Sequence, residues 1–107
     1  MKRKLTTKDL TNVARMTMPA GSSVWLYGSR ARGEAKQDSD WDLLLLLDKD
    51  ELEDKDFERF CYPLIEFGWT FGADLSPQLY TKKEWEKMNF MPYCQNVERD
   101  KQIVYES

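Results

Sequence analysis

The segment YGSRARGEAKQDSDWDLLLLLD, Tyr27–Asp48, runs from a glycine-serine pair to five consecutive leucines guarded by two aspartates, Asp40 and Asp42. Trp41 to Leu47 reads as a strand, and its unbroken apolar run predicts burial on both faces, in the middle of a sheet covered by helices. Two carboxylates at the mouth of such a strand are costly to desolvate unless a positive group belongs between them. Upstream, SVWLYG (23–28) reads as a second short buried strand that ends on glycine. SRARGEA supplies one or two helical turns, and KQDS a polar loop.

Working outward, Leu10, Val13 and Ala14 recur at helical spacing behind TTKD, where Thr6 or Thr7 can cap, and the run stops at Met-Pro-Ala-Gly, 18–21. Residues 51–67 carry Leu52, Phe57, Phe60, Cys61, Leu64 and Ile65 in an amphipathic helical pattern that Pro63 must kink or end. The acidic run ELEDKD, 51–56, is expected at that helix's N-terminus, where negative charge is favourable. GWTFG, 68–72, is a connector. ADLSPQLYT, 73–81, reads as a third strand, held to a sheet edge by Pro77. Thr81 caps a helix over KKEWEKM, and a last helix is expected from about Pro92 to Tyr105. The expected order α-β-α-β-α-β-α points to an α/β (α+β) fold, a small mixed sheet flanked by helices in one domain, residues 1–107.

Composition narrows the chemistry. The chain has 107 residues, enough for one core but not two. Its net charge of −3 and pI near 5.0 weigh against stable nucleic-acid binding, which usually needs a basic face. The apolar run Leu43–Leu47 is far too short to span a bilayer, and the basic N-terminus meets polar residues at once, unlike a signal peptide. Cys61 and Cys94 form neither a CxxC pair nor a metal-spaced cluster, and reduced thiols in a cytoplasmic protein are expected. With no histidine in the chain, Ser–His and Cys–His nucleophilic catalysis are excluded. An enzyme here works with carboxylates, hydroxyls, Lys or Arg.

Period two places Asp40 and Asp42 on one side of their strand, with Trp41 opposite. Such a close pair repels itself unless protonated or bridged by a cation, and oxygen-only ligands favour Mg²⁺ or Mn²⁺. Gly28 and Ser29, at a strand-to-helix junction, offer free backbone N–H groups and a hydroxyl to an anion, with Arg30 and Arg32 close by. An anion cradle and a metal cradle within some twenty residues suit a nucleoside triphosphate with its metal. Asp74, opening the next strand, is the candidate third carboxylate, able to hold the attacking side and take a proton. Taken singly, each half of this pattern is commonplace in solvated turns, and Arg30 and Arg32 could be exposed charges on a short helix. Trp25, Trp41, Trp69 and Trp85 are expected to be packing residues.

The run GS-(ten residues)-DWD, Gly28, Ser29, Asp40 and Asp42, resembles the signature of the DNA polymerase β-like nucleotidyltransferase superfamily, and most closely its minimal (MNT) members. The resemblance spans about Ser22 to Trp85. It implies two divalent metal ions on Asp40, Asp42 and Asp74, a triphosphate-binding turn at Gly28 and Ser29, and transfer of NMP to a hydroxyl, with AMP from ATP as the expected case. Asp74 matches the third acidic position less closely, because Pro77 interrupts its strand. MNT proteins often pair with a helical HEPN partner in toxin–antitoxin modules, so the resemblance implies an antitoxin that modifies a partner protein. A catalytically inactive module that neutralises its partner by contact, and an aminoglycoside-type enzyme acting on a small molecule, are the alternatives.

Overall fold

The computed structural model describes residues 3–107. Four strands form one sheet in the order β3-β2-β1-β4. β1 (Ser23–Tyr27) lies antiparallel to β2 (Trp41–Leu47), and β2 lies parallel to β3 (Leu75–Thr81). A parallel neighbour requires a crossover, which is supplied by the helix between them: a π-turn, Phe57–Cys61, continuing as α3, Tyr62–Trp69. This helix and α1 (Thr7–Thr17) cover one face of the sheet, over Leu43, Leu45 and Leu47. α4 (Lys82–Lys87) and α5 (Pro92–Asp100) cover the other, over Leu44 and Leu46. The leucine run is therefore buried on both sides, as its composition predicts, and each of the five is worth about 1.5–3 kcal/mol of burial.

Local signals account for the element ends. Thr6 accepts from the Asp9 N–H while the Asp9 carboxylate accepts from the Thr6 N–H, a capping box; Thr81 and Glu84 repeat it at α4. Pro63 sits where the π-turn gives way to α-helix, a place where a missing N–H costs little. The Asp74 carbonyl accepts from the Trp41 N–H at 2.9 Å. By alternation, Ser76 and Gln78 address β2, and the Pro77 nitrogen faces the free edge, so the proline does not break the pairing.

Three expectations are corrected. The last helix does not reach Tyr105: α5 ends at Asp100, Lys101 turns extended (φ −57°, ψ 143°), and Gln102–Glu106 form β4 beside β1. Ile103, Val104 and Tyr105 are β-branched or aromatic, and pairing with β1 outweighs continuation of the helical pattern. The acidic run 51–56 is a turn rather than a helical one, since helix begins only at its last residue. There Asp56 is buried, accepting from the Glu53 N–H at 2.7 Å and from Lys49 Nζ at 2.9 Å. Burial opposes ionisation of Asp56, but those donors outweigh it and hold its carboxyl below the ordinary value. Finally, Trp25, Trp41 and Trp85 are packed, but Trp69 is 61% exposed. Among the described residues no helix is long and apolar enough to cross a membrane.

Candidate active site

The site lies where β1 ends and β2 and β3 begin. Gly28 follows the last residue of β1 with φ +75°, a conformation that costs an L-residue about 1–2 kcal/mol. A Cβ there would also collide with Asp42 Oδ2, so only glycine lets the turn lie against that carboxylate. The short helix α2 (Gly28–Ala31) closes on Gly33 in a Schellman arrangement, with Gly33 N–H donating to the Arg30 carbonyl and Glu34 N–H to that of Ser29.

Register brings the carboxylates to the same place. Tyr27 stands opposite Asp42 across the antiparallel pair, and Ser76 beside Asp42 across the parallel one. Asp42 alternates with Trp41, which is buried under α1 and α3, and so shares the α4/α5 face with Leu44. Asp40 is exposed, with the Ser76 hydroxyl at a long 3.5 Å. Asp42 is half-buried, and burial first, then the neighbouring Asp40, pushes its carboxyl above the ordinary value against the opposing Arg32. Neither Asp40 nor Asp42 forms an ion pair among the described residues.

Asp74 opens β3 one strand away, exposed, and lines a cavity of about 480 Å³ with Trp41, Arg30, Lys36, Lys4 and Phe71. Asp40 and Asp42 do not line it. Thus the Gly28 turn, Asp40 and Asp42 come together, whereas Asp74 stands apart from the pair, at the mouth of the next strand. Among the described residues no three His, Cys, Asp or Glu side chains stand close enough to hold a metal ion. The donor chemistry nonetheless fits a hard divalent cation, because all the donors are oxygens and the half-buried Asp42 has no ion-pair partner among the described residues.

The two arginines are already engaged. Arg30 donates to the Ser39 carbonyl through Nε at 3.0 Å and one terminal nitrogen at 2.7 Å, reaches those of Lys36 and Gln37, and stacks over Trp41. It braces the loop that leads into Asp40. Arg32 pairs with Glu34 and with Asp100 of α5.

Tyr27, just before the Gly28–Ser29 turn, reads from the sequence as a structural residue, and the structure supplies its partner. Its hydroxyl accepts from Tyr93 of α5 at 3.1 Å, and burial raises the Tyr27 phenol above its ordinary value against that donation. With Tyr80, Trp85 and Trp25 these rings floor the Asp42 side of the sheet. Two-residue alternation from Asp42 within the hairpin could have placed Tyr27, but nothing in the sequence joins it to Tyr93.

The family model for the nucleotidyltransferase domain matches residues 13–105. No curated protein is detectably similar to the chain in sequence. Among solved structures, a toxin–antitoxin crystallised with AMP-PNP superposes with a TM-score of 0.66 at 17% identity, covering 96% of this chain and 75% of that one. Two mutants of the toxin–antitoxin MntA-HpeT give TM-scores of 0.66 and 0.62 at 15% and 18% identity, covering 96% and 97% of this chain and 75% of each of theirs. At these identities the likeness is one of fold.

Proposed function

Because the chain belongs to the nucleotidyltransferase domain family, we propose that it is a minimal, antitoxin-type member that moves AMP from ATP onto a hydroxyl of a helical, HEPN-like partner protein. The observation that carries this reading is the contact between the Gly28 turn and Asp42 at the shared ends of β1, β2 and β3. The neighbour with AMP-PNP supports a nucleotide, and the toxin–antitoxin neighbours support a protein partner.

In this reading the backbone N–H groups and hydroxyl at Gly28 and Ser29 orient the triphosphate. Arg30 keeps the 36–39 loop in place behind Asp40, and Arg32 adds positive charge near the phosphates. Asp40 and Asp42, with Asp74 from the next strand, would hold a divalent metal, Mg²⁺ or Mn²⁺, which would offset phosphate charge and lower the pKa of the acceptor hydroxyl. Asp74, on the cavity side, receives the acceptor proton. The acceptor oxygen bonds to the α-phosphorus, the α–β phosphoanhydride bond breaks, and pyrophosphate leaves.

The test is transfer of label from α-phosphate-labelled ATP in extract of the native host. A protein band labelled by the wild type and absent with Asp42→Asn is the expected result. Label on RNA, or none while ATP still binds, refutes transfer to a protein. The separation of Asp74 from the Asp40–Asp42 pair favours one second reading, a module that neutralises its partner by contact. Full neutralisation by Asp40→Asn/Asp42→Asn would establish that alternative.

A further inference from the structure

The outer face of the crossover helix is aromatic, and its alignment requires the π-turn. An α-turn would set Phe57 and Tyr62, five residues apart, on different sides of the helix, whereas a π-turn closes i to i+5 and stacks them. Their rings meet edge to face at 5.7 Å. Trp69, seven residues beyond Tyr62 on regular α-helix, returns to the same side. The three rings are 41%, 48% and 61% exposed. They make a rail of roughly 18 Å at 1.5 Å per residue. Trp69 lies at the end nearer the site, five residues before Asp74, and the intervening Phe71 lines the same cavity as Asp74.

The charge around the rail is one-sided. Residues 48–66 carry eight carboxylates against three cations, a net −5 in a chain of net −3, so the rest of the chain is net positive. Glu51, Asp54, Glu58 and Glu66 are exposed and in no ion pair among the described residues. Lys49 is taken by Glu53 and Asp56, and Arg59 lies over Phe60. Exposed aromatic anchors flanked by unpaired carboxylates suit an amphipathic helix that presents aliphatic side chains between Lys and Arg.

We propose that the Phe57–Tyr62–Trp69 face docks a basic amphipathic helix of the acceptor protein, with the acceptor hydroxyl delivered past Trp69 into the cavity at Asp74. The proposal rests on the reading that the acceptor is a protein, and it names what that protein must present.

Two measurements test it separately from transfer itself. The first is binding, without ATP, of a dye-labelled synthetic helix of about 20 residues built from Leu, Lys and Arg. The expected result is binding that weakens with salt and is equal for wild type and Asp42→Asn. Trp69→Ala and Tyr62→Ala should each weaken it at least tenfold, as loss of an anchoring aromatic does. Phe90→Ala, which removes a ring 74% exposed but away from the rail, should leave it unchanged. No binding, equal binding by Trp69→Ala, or equal binding of a peptide with Glu in place of Lys and Arg overturns the proposal. Self-association of the free protein that Trp69→Ala abolishes would assign the face to a second copy and also overturn it.

The second is label transfer in host extract. Loss of the labelled protein band with Trp69→Ala, in a variant with unchanged circular dichroism, is expected. Transfer that Trp69→Ala leaves intact removes the dock while the activity stands. No transfer by any variant, with peptide binding still governed by Trp69 and Tyr62, removes the activity while the dock stands.

Discussion

Gly28→Ala isolates the contact on which the site depends. Two costs arise at this position: the left-handed φ of +75°, and the collision of a new Cβ with Asp42 Oδ2. Gly33 provides the reference, since its φ is +74° and nothing lies within 4 Å of a Cβ built there. Gly33→Ala should therefore cost only the backbone term, about 1–2 kcal/mol. Gly28→Ala adds the crowding of a carboxylate that can swing aside only by leaving its place, and a total of about 2–4 kcal/mol is expected. For a chain of this size that lowers Tm by about 10–20 °C, against about 5–10 °C for Gly33→Ala. The assays are urea and thermal unfolding of both variants and of Gly28→Ala/Asp42→Ala, with ATP binding and label transfer alongside. Removing the carboxylate should return the Gly28→Ala loss to the Gly33→Ala level, a coupling that a double-mutant cycle reads directly. Equal losses for the two glycine variants, with no coupling to Asp42, would refute the close approach of turn and carboxylate.

Other consequences follow from single residues. Arg30→Lys keeps a charge but loses the planar fork on the Ser39 carbonyl and the stack on Trp41. Amide exchange at Lys36 and Ser39 should quicken, with a stability loss of about 1–2 kcal/mol. The Asp56 carboxyl is held below its unfolded value, so its stabilisation is present above about pH 4 and lost as pH falls through the folded value. Asp56→Asn should be less stable at neutral pH by about 1–3 kcal/mol. On acidification its stability curve should meet that of the wild type, followed by denaturant midpoint against pH. Leu44→Ala, at a fully buried position between β2 and the α4/α5 layer, should cost about 3 kcal/mol in urea with an unchanged m value.

How far the sequence could be read varied from element to element, and the differences have physical causes. β2 was legible because burial on both faces leaves no polar alternation, and the β3 edge because proline tolerates few other places. The Thr81 cap was legible, and the first cap was narrowed to Thr6 or Thr7, because a capping box closes within four residues. β4 was missed because its pairing with β1 joins residues some eighty apart, and a helical pattern from Pro92 had no local stop as strong as glycine. The π-turn went unread for a related reason: its ring stack at Phe57 and Tyr62 follows from a hydrogen-bond register that composition does not express.

The chemistry carried by consecutive residues was therefore determined by sequence alone: a glycine turn, a DxD pair and an apolar strand within about twenty residues, in a chain without histidine. These are short-range properties, set by side-chain alternation and backbone sterics. Only the tertiary structure decided which strands neighbour one another. Parallel register set Ser76 beside Asp42 and Asp74 at the next strand's mouth, antiparallel register set Tyr27 opposite Asp42, and packing left Trp69 exposed while it buried the other three tryptophans. Each of those outcomes is a choice among long-range pairings, made by the total burial of the sheet's two faces rather than by any one segment.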